Sequence, residues 1–281
     1  MGLRPHVSFW QTTRFRIDLD RPRVMGIVNL TPDSFSDGGR YVSASAALEH
    51  VGQLLREGAD ILDIGAESSR PGATPLSDEE EWQRLEPVLQ ALVRWQVPVS
   101  VDTYRASTMQ RALALGVDII NDIWALRQPG ALASVQASNC GVCVMHMHGE
   151  PHTMQQTPMT GDVVSEVTAF LRQRVLVLEQ AGIATARITV DPGIGFGKTV
   201  ADNFALLRDQ ADVLALGYPM LAAWSRKSSL GAVTGLDVQD RLVPSVTAAV
   251  LAVERGAQLV RVHDVAATVA ALQVWQASQQ V

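Results

Sequence analysis

Short runs of β-branched and other apolar residues recur along the chain, and between them lie longer stretches whose apolar positions fall at helical spacing. That alternation predicts repeated strand–helix units around a parallel sheet. Strands are expected at Val24–Val28, Ile61–Ile64, Val97–Val101, Ile119–Ile120, Val142–Met145, Ile188–Val190, Met220–Ala223 and Leu259–Val262. Helices are expected at Ala44–Glu57, Asp78–Trp95, Val163–Ala181 and Val265–Trp275, among others. Ser77 stands three residues before Glu80, the spacing of a capping box, and Gly58 and Gly182 follow their helices as C-terminal caps do. Roughly eight such units in 281 residues fit a (β/α)8 TIM barrel better than an open sheet. The whole chain, 1–281, reads as one domain. Its first 23 residues form a hairpin-like extension that closes the barrel floor, with Val7–Trp10 and Phe15–Ile17 flanking a polar turn.

Composition narrows the function. At 47% hydrophobic the chain can bury one large core, and a net charge of −6 leaves no overall positive field for nucleic acid or an anionic membrane. No run of about 18 apolar residues is present to span a bilayer, and the N-terminus lacks the apolar core of a signal peptide. A cytoplasmic protein is expected, and any anionic ligand must be met by a local basic cluster.

In a barrel of this kind the C-terminal ends of all strands open on one face, so polar residues there converge although they are far apart in sequence. The exits carry Asn29, then Asp63 with Glu67, Asp102, Asn121, His146, Asp191, the triplet Ser225-Arg226-Lys227, and finally Arg261, His263 and Asp264. Any one of these serves equally well as a helix cap or loop residue; the joint occurrence is what points to a site. Asp102, Asn121 and Asp191 suit a heterocycle, because carboxylates accept from amino and ring N–H groups and an amide both donates and accepts. Lys227, Arg261 and His263 come from the last two strands, where such barrels often hold phosphate. Two connections rich in turn residues, 31–40 and 68–77, follow strand exits and read as mobile lids rather than plain surface loops.

Three short motifs fail on inspection. Gly197-Lys198-Thr199 ends like a P-loop, but the position five residues before Gly197 is Pro192. The alternating Gly193, Gly195 and Gly197 lack dinucleotide spacing. Cys140 and Cys143 resemble a redox pair, yet in a strand they stand roughly 10 Å apart, beyond disulfide reach. A zinc site built from them with His146 and His148 is the weaker alternative to two reduced, buried thiols. The six Trp read as packing, with Trp224 singled out by its place at a strand exit.

Taken together, VMGIVNLTPDSFSDGG, DIGAESSRPGA, VSVDT, IINDI, VMHMHG, DPGIGFGK, SRKS and RVHDV resemble the ordered signature blocks of the dihydropteroate synthases, from about Val24 to Ala270. The resemblance implies a transferase of folate biosynthesis, a target of sulfonamides, that joins a dihydropterin methyl diphosphate to 4-aminobenzoate. It implies Asp102, Asn121, Met145, Asp191, Phe196 and Lys227 around the pterin. Asn29, Ser69, Arg70, Arg261 and His263 would hold diphosphate, with Asn29 also binding Mg²⁺. Phe35, Pro71 and Ser225 would join Lys227 and Phe196 around 4-aminobenzoate, and Asp102, Asp191, Lys227, Arg261 and His263 would carry the catalysis. A homodimer is implied as well. The chain departs from the family pattern at Ser69 (usually Thr), Ala223 (often Gly), His148 (often Gln or Arg) and Pro244, which falls where the seventh helix should begin. A methyltransferase using the same barrel, a Schiff-base aldolase acting through Lys227 and an inactive pterin-binding protein are the competing readings. The DSFSDGG loop, SRKS and RVHDV favour diphosphate chemistry over the methyltransferase, borohydride trapping of a carbonyl substrate on Lys227 would support the aldolase, and retention of every charged exit residue speaks against the inactive protein.

Overall fold

The computed structural model describes residues 7–30, 40–67, 76–150, 154 and 156–279. It opens with an antiparallel hairpin, β1 (Phe9–Gln11) and β2 (Arg16–Asp18), in which Trp10 pairs with Ile17. Eight parallel strands follow: β3 (Arg23–Asn29), β4 (Ile61–Gly65), β5 (Val99–Asp102), β6 (Ile119–Asp122), β7 (Gly141–Met145), β8 (Ile188–Asp191), β9 (Leu221–Ala222) and β10 (Leu259–Val262). Their spatial order is β8-β7-β6-β5-β4-β3-β10-β9. A bridge between Val190 and Met220 brings β8 against β9, so the sheet closes into an α/β barrel.

The helices that cover it are α1 (Arg40–Arg56), α2 (Asp78–Leu92), α3 (Ala106–Leu115), α4 (Ala131–Gln136), α5 (Val163–Gln180), α6 (Val200–Arg208), α7 (Ala211–Leu214), α8 (Ser228–Thr234), α9 (Leu242–Glu254) and α10 (Val265–Ser278). Ser77 caps α2 in a full capping box with Glu80. Gly58 and Gly182 take positive φ just past α1 and α5. Pro244 falls in the first turn of α9, where no intrahelical donor is required, and the helix forms around it.

Strand alternation sorts the apolar residues into two cores. Outward residues such as Val28, Ile64, Val101 and Val144 meet the helices in the main cluster. Inward residues Met25, Ile61, Ile119, Cys143, Leu221 and Leu259 form a second cluster with Trp10 and Ile17 of the hairpin. Trp10 is fully buried there and donates from Nε1 to the Arg187 carbonyl at 2.9 Å. β7 begins with glycine because a Cβ on Gly141 would lie 2.9 Å from that nitrogen. Beside the hairpin turn, Arg14 pairs with buried Asp118 at 2.6 Å, and Asp118 also accepts from the Val99 backbone. Cys140 and Cys143 are both free and buried. No helix among the described residues is long and apolar enough to cross a membrane.

Candidate active site at the mouth of the barrel

Two residues beyond the apolar floor, the inward positions change character. Ile61 gives way to Asp63 on β4, Ile119 to Asn121 on β6 and Leu259 to Arg261 on β10. Near the rim, Asn29, Gly65, Asp102 and Asn121 lie in one register row across β3 to β6, and a side chain at Gly65 would press on Asp102, 3.4 Å from its Cβ.

Arg261 sits at the centre of this layer. Its Nε meets Asp63 Oδ2 at 2.6 Å and its Nη2 meets Asp102 Oδ2 at 2.7 Å. Asn121 donates from Nδ2 to the same Asp63 oxygen at 3.2 Å. The acidic and cationic groups read from the sequence are therefore not separate, because Arg261 is ion-paired inside the acidic one. Burial opposes the Arg261 charge, but Asp63 and Asp102 outweigh it and hold its pKa above the ordinary range. Burial raises Asp102 to about 7, with Arg261 pulling down and Asp63 pushing up. Its side chain keeps 20% exposure, so solvent tempers that shift. Asp191 is raised by burial too, against its hydrogen bond from the Gly193 N–H at 2.7 Å and the charges of Lys227, Lys198 and Arg261. Asp191 stands inward on β8 in register with Met145, and it feels the charges of Lys227, Lys198 and Arg261.

The β9 and β10 exits supply the other wall. Lys227 lies over the Phe196 ring with Nζ 4.4 Å from its centroid. Ser225 Oγ contacts His263 Nδ1 at 2.9 Å and accepts from the His263 backbone N–H at 3.1 Å. When the hydroxyl donates to Nδ1, the ring proton sits on Nε2. Arg226, in left-handed backbone with φ 59°, turns outward to pair with Asp264 at 2.7 Å, which ties the two exits together. Above the carboxylates, Met145 and Phe196 join Ile123, Met147 and Met154 in an apolar rim with Tyr104 and Trp124.

Several expectations change here. Trp224 packs against Phe204 at 5.3 Å in the outer core, so it serves packing. Glu67 accepts from Arg105 at 2.6 Å, Tyr104 at 2.9 Å and the Leu76 N–H at 2.9 Å, a network beside the pocket. Ala223 is buried at the end of β9, while His148 is exposed. Ser69, Arg70, Phe35 and Pro71 lie outside the described residues.

Two residues that sequence reasoning did not carry into the site hold it in shape. Asp63 is one; Lys198, set aside with the failed P-loop, is the other. Buried Lys198 donates to His146 Nδ1 at 2.8 Å and to the carbonyls of Gly193 at 2.9 Å and Phe196 at 3.1 Å. Burial draws its pKa down to about 7 and Asp191 works the other way. With the His146 carbonyl at 3.4 Å as a fourth acceptor, surroundings made only of acceptors suit the charged ammonium. Burial and then the Lys198 charge draw His146 down to about 2, which leaves Nδ1 an acceptor. Gly193 and Gly197 have positive φ, and a Cβ on either would strike the His146 or His148 carbonyl. The β8 loop thus lies directly on the β7 exit.

Mg²⁺ demands hard oxygen ligands and commonly takes most of them from water and substrate phosphate. Among the described residues no group of three His, Cys, Asp or Glu side chains could hold a metal by itself. The partly exposed Asn29 at the end of β3 offers one amide oxygen, which fits an ion delivered with a diphosphate.

Residues 25–263 match the pterin binding enzyme family. The chain is 54% identical over 273 residues to a dihydropteroate synthase of Neisseria meningitidis serogroup C, covering 95% of this chain and 96% of that protein. Among solved structures, the Xanthomonas albilineans dihydropteroate synthase with 4-aminobenzoic acid superposes with a TM-score of 0.89 at 51% identity, over 95% of this chain and 96% of that one. The Burkholderia cenocepacia dihydropteroate synthase complexed with 7,8-dihydropteroate gives 0.89 at 48% identity, over 98% of both chains. The chain belongs to the pterin-binding enzymes and, among them, to the dihydropteroate synthases.

Proposed function

We propose that the chain is a transferase that condenses (7,8-dihydropterin-6-yl)methyl diphosphate with 4-aminobenzoate to give 7,8-dihydropteroate and diphosphate. The observation that carries this reading is the inward layer of Asp63, Asp102 and Asn121 joined through Arg261 and Asp63, with Asp191 inward on β8, above an apolar floor. Carboxylates and an amide in a largely buried pocket select a flat heterocycle with amino and ring N–H donors. Asp102, Asn121 and Asp191 hold the pterin, with Met145, Phe196 and Lys227 completing its pocket.

The reaction breaks the bond between the pterin methylene carbon and the diphosphate oxygen, and the electron pair leaves with diphosphate. A neutral arylamine then attacks the carbon, and its proton is lost after the C–N bond forms. No nucleophilic side chain is required, so fixed charge is the main contribution of the protein. Asp102 and Asp191 steady the cation-like pterin of a dissociative path. His263, donating from Nε2 when Ser225 donates to its Nδ1, meets the departing diphosphate with Ser69 and Arg70, while Arg261, whose Nε and Nη2 are held by Asp63 and Asp102, contributes through its charge. When bound, Mg²⁺ supplies charge neutralisation on the diphosphate, with Asn29 as a protein ligand. Ser225, Phe35 and Pro71 orient the 4-aminobenzoate beside Lys227.

Cytoplasmic residence belongs to this reading, since two free buried thiols suit a reducing compartment. A homodimer belongs to it as well. Val233, Leu236, Leu242, Val243 and Val274 are exposed on α8, α9, α10 and their connections, and a second copy would cover them. Sedimentation as a monomer at micromolar concentration would refute the dimer. For the reaction, purified protein with Mg²⁺, the dihydropterin diphosphate and 4-aminobenzoate should form 7,8-dihydropteroate only when all three are present, and 4-aminobenzoate should accelerate diphosphate release. Release that ignores 4-aminobenzoate would overturn the assignment.

A further inference from the structure

Asp63 is fully buried on β4, and its two oxygens are used unequally. Oδ2 accepts from Arg261 Nε at 2.6 Å and from Asn121 Nδ2 at 3.2 Å. Among the described residues Oδ1 has no hydrogen-bond partner, and neither does the buried hydroxyl of Ser100, its register neighbour on β5. The contact with Asn121 decides the orientation of an amide. Its carbonyl oxygen cannot face a carboxylate without repulsion and the loss of a charge-assisted hydrogen bond, so the NH2 group must point to Asp63. The other side of the amide, with its carbonyl oxygen, is then what a ligand meets.

We propose that Asp63 is a positioning residue that sets the hydrogen-bond polarity of the pterin pocket: through Oδ2 it locks the Asn121 amide with its carbonyl oxygen towards the heterocycle and pins Arg261 between itself and Asp102. Asp63 lies one inward step below Gly65 on β4, touches Arg261 and Asn121 directly, and acts through these two neighbours. The consequence is selectivity. An acceptor held at that position favours a heterocycle with an amino donor on its pyrimidine ring and disfavours one with an oxo group there. With Asn at position 63, its own NH2 can donate to the Asn121 oxygen, the amide can turn over, and the pocket then offers a donor instead. The inference rests on the assignment of Asp102, Asn121 and Asp191 to the pterin.

The test compares two probes by calorimetry at fixed pH: 6-hydroxymethylpterin and the analogue carrying oxygen in place of its 2-amino group. Wild-type protein should prefer the pterin, and Asp63→Asn should reduce that preference about tenfold, the scale of one hydrogen bond, while still melting cooperatively. A preference within twofold of wild type, with both affinities weakened together, would show only structural support and overturn the proposal. Should the variant fail to fold, side-chain amide exchange in ¹⁵N-labelled wild-type protein reads the same contact. The Asn121 NH2 should exchange at least tenfold more slowly than an exposed asparagine, and equal rates would overturn the proposal. Asn121→Ala separates the two levels of the argument. Unchanged pterin affinity in that variant would reject the pocket assignment, and the Asp63 proposal with it. Weakened affinity beside an unaltered Asp63→Asn preference would reject the Asp63 proposal alone.

Discussion

The floor and the mouth of this barrel are built from the same strands one inward step apart, yet they answer to different physics. At the floor, Met25, Ile61, Ile119 and Leu259 close on Trp10, and shape and apolar area hold the cluster together. At the mouth, Asp63, Asn121 and Arg261 stand on three of those strands, and charges must be mutually paired to be tolerated at all. Alternation decides which residues face inward; the switch from Ile to Asp or Leu to Arg marks the depth at which a ligand replaces packing. Changes at the mouth should therefore cost activity, and changes at the floor should cost stability.

The largest effect is expected at Lys227. Lys227→Met keeps most of the aliphatic stem over Phe196 and removes the charge, so kcat/KM for diphosphate release should fall by roughly 10³ while the melting temperature moves little. A comparable loss of thermal stability would break the division between mouth and floor. Trp10→Ala is its mirror. Losing a fully buried indole should destabilise the fold by about 3–5 kcal/mol, measured by denaturant titration, and the folded fraction should turn over at the wild-type rate.

A smaller effect, of opposite sign in two measurements, belongs to Asp102. Its raised pKa, about 7, means that the free protein holds the proton at mildly acidic pH. Pterin binding needs the carboxylate as acceptor, so affinity should climb as pH rises towards 7 and fall roughly tenfold per unit below it. Stability runs the other way. A carboxyl with a folded pKa above its unfolded value contributes stability that is complete below the unfolded pKa and lost as pH rises through the folded one. The gap between wild type and Asp102→Asn should thus shift in favour of the variant between about pH 4 and pH 7, and the variant's pterin affinity should lose the Asp102 limb. Arg261, Asp63, Glu81 and Asp122 all act on this carboxyl. Trp10→Ala, with no charge in its cluster, should alter neither slope.

The strands were legible because each is a short apolar run, and the exits because alternation fixes which side a residue faces. Met220–Ala223 shortened to Leu221–Ala222, since the chain leaves the sheet towards the left-handed turn at Arg226. Trp224 looked suspect only from its place at an exit; it faces outward, where Phe204 covers it. What the sequence could not carry was pairing across the barrel. Arg261 meets Asp63 across 198 positions, and Lys198 meets His146 across 52. Residue type and spacing marked these groups as inward or buried, but only closure of the barrel assigns their partners. That is why Arg261 was expected on an anion and is found between two carboxylates, and why Lys198 passed for a failed phosphate loop.

The smallest expected effect tests whether the helices around the mouth share in its chemistry. Helices begin on this face, and α2 starts there with Ser77 accepting from the Glu80 N–H at 3.2 Å while the Glu80 carboxylate accepts from the Ser77 N–H at 2.8 Å. Ser77→Ala removes a side-chain cap and should lower stability by about 1 kcal/mol, read as a modest fall in denaturation midpoint. The reacting groups of the proposed site described here stand on strands or their immediate exits, so kcat and both KM values should stay within twofold of wild type. A larger rise in either KM would mean that the start of α2 sets the position of the adjoining connection, and that the mouth depends on its helices as well as on its strands.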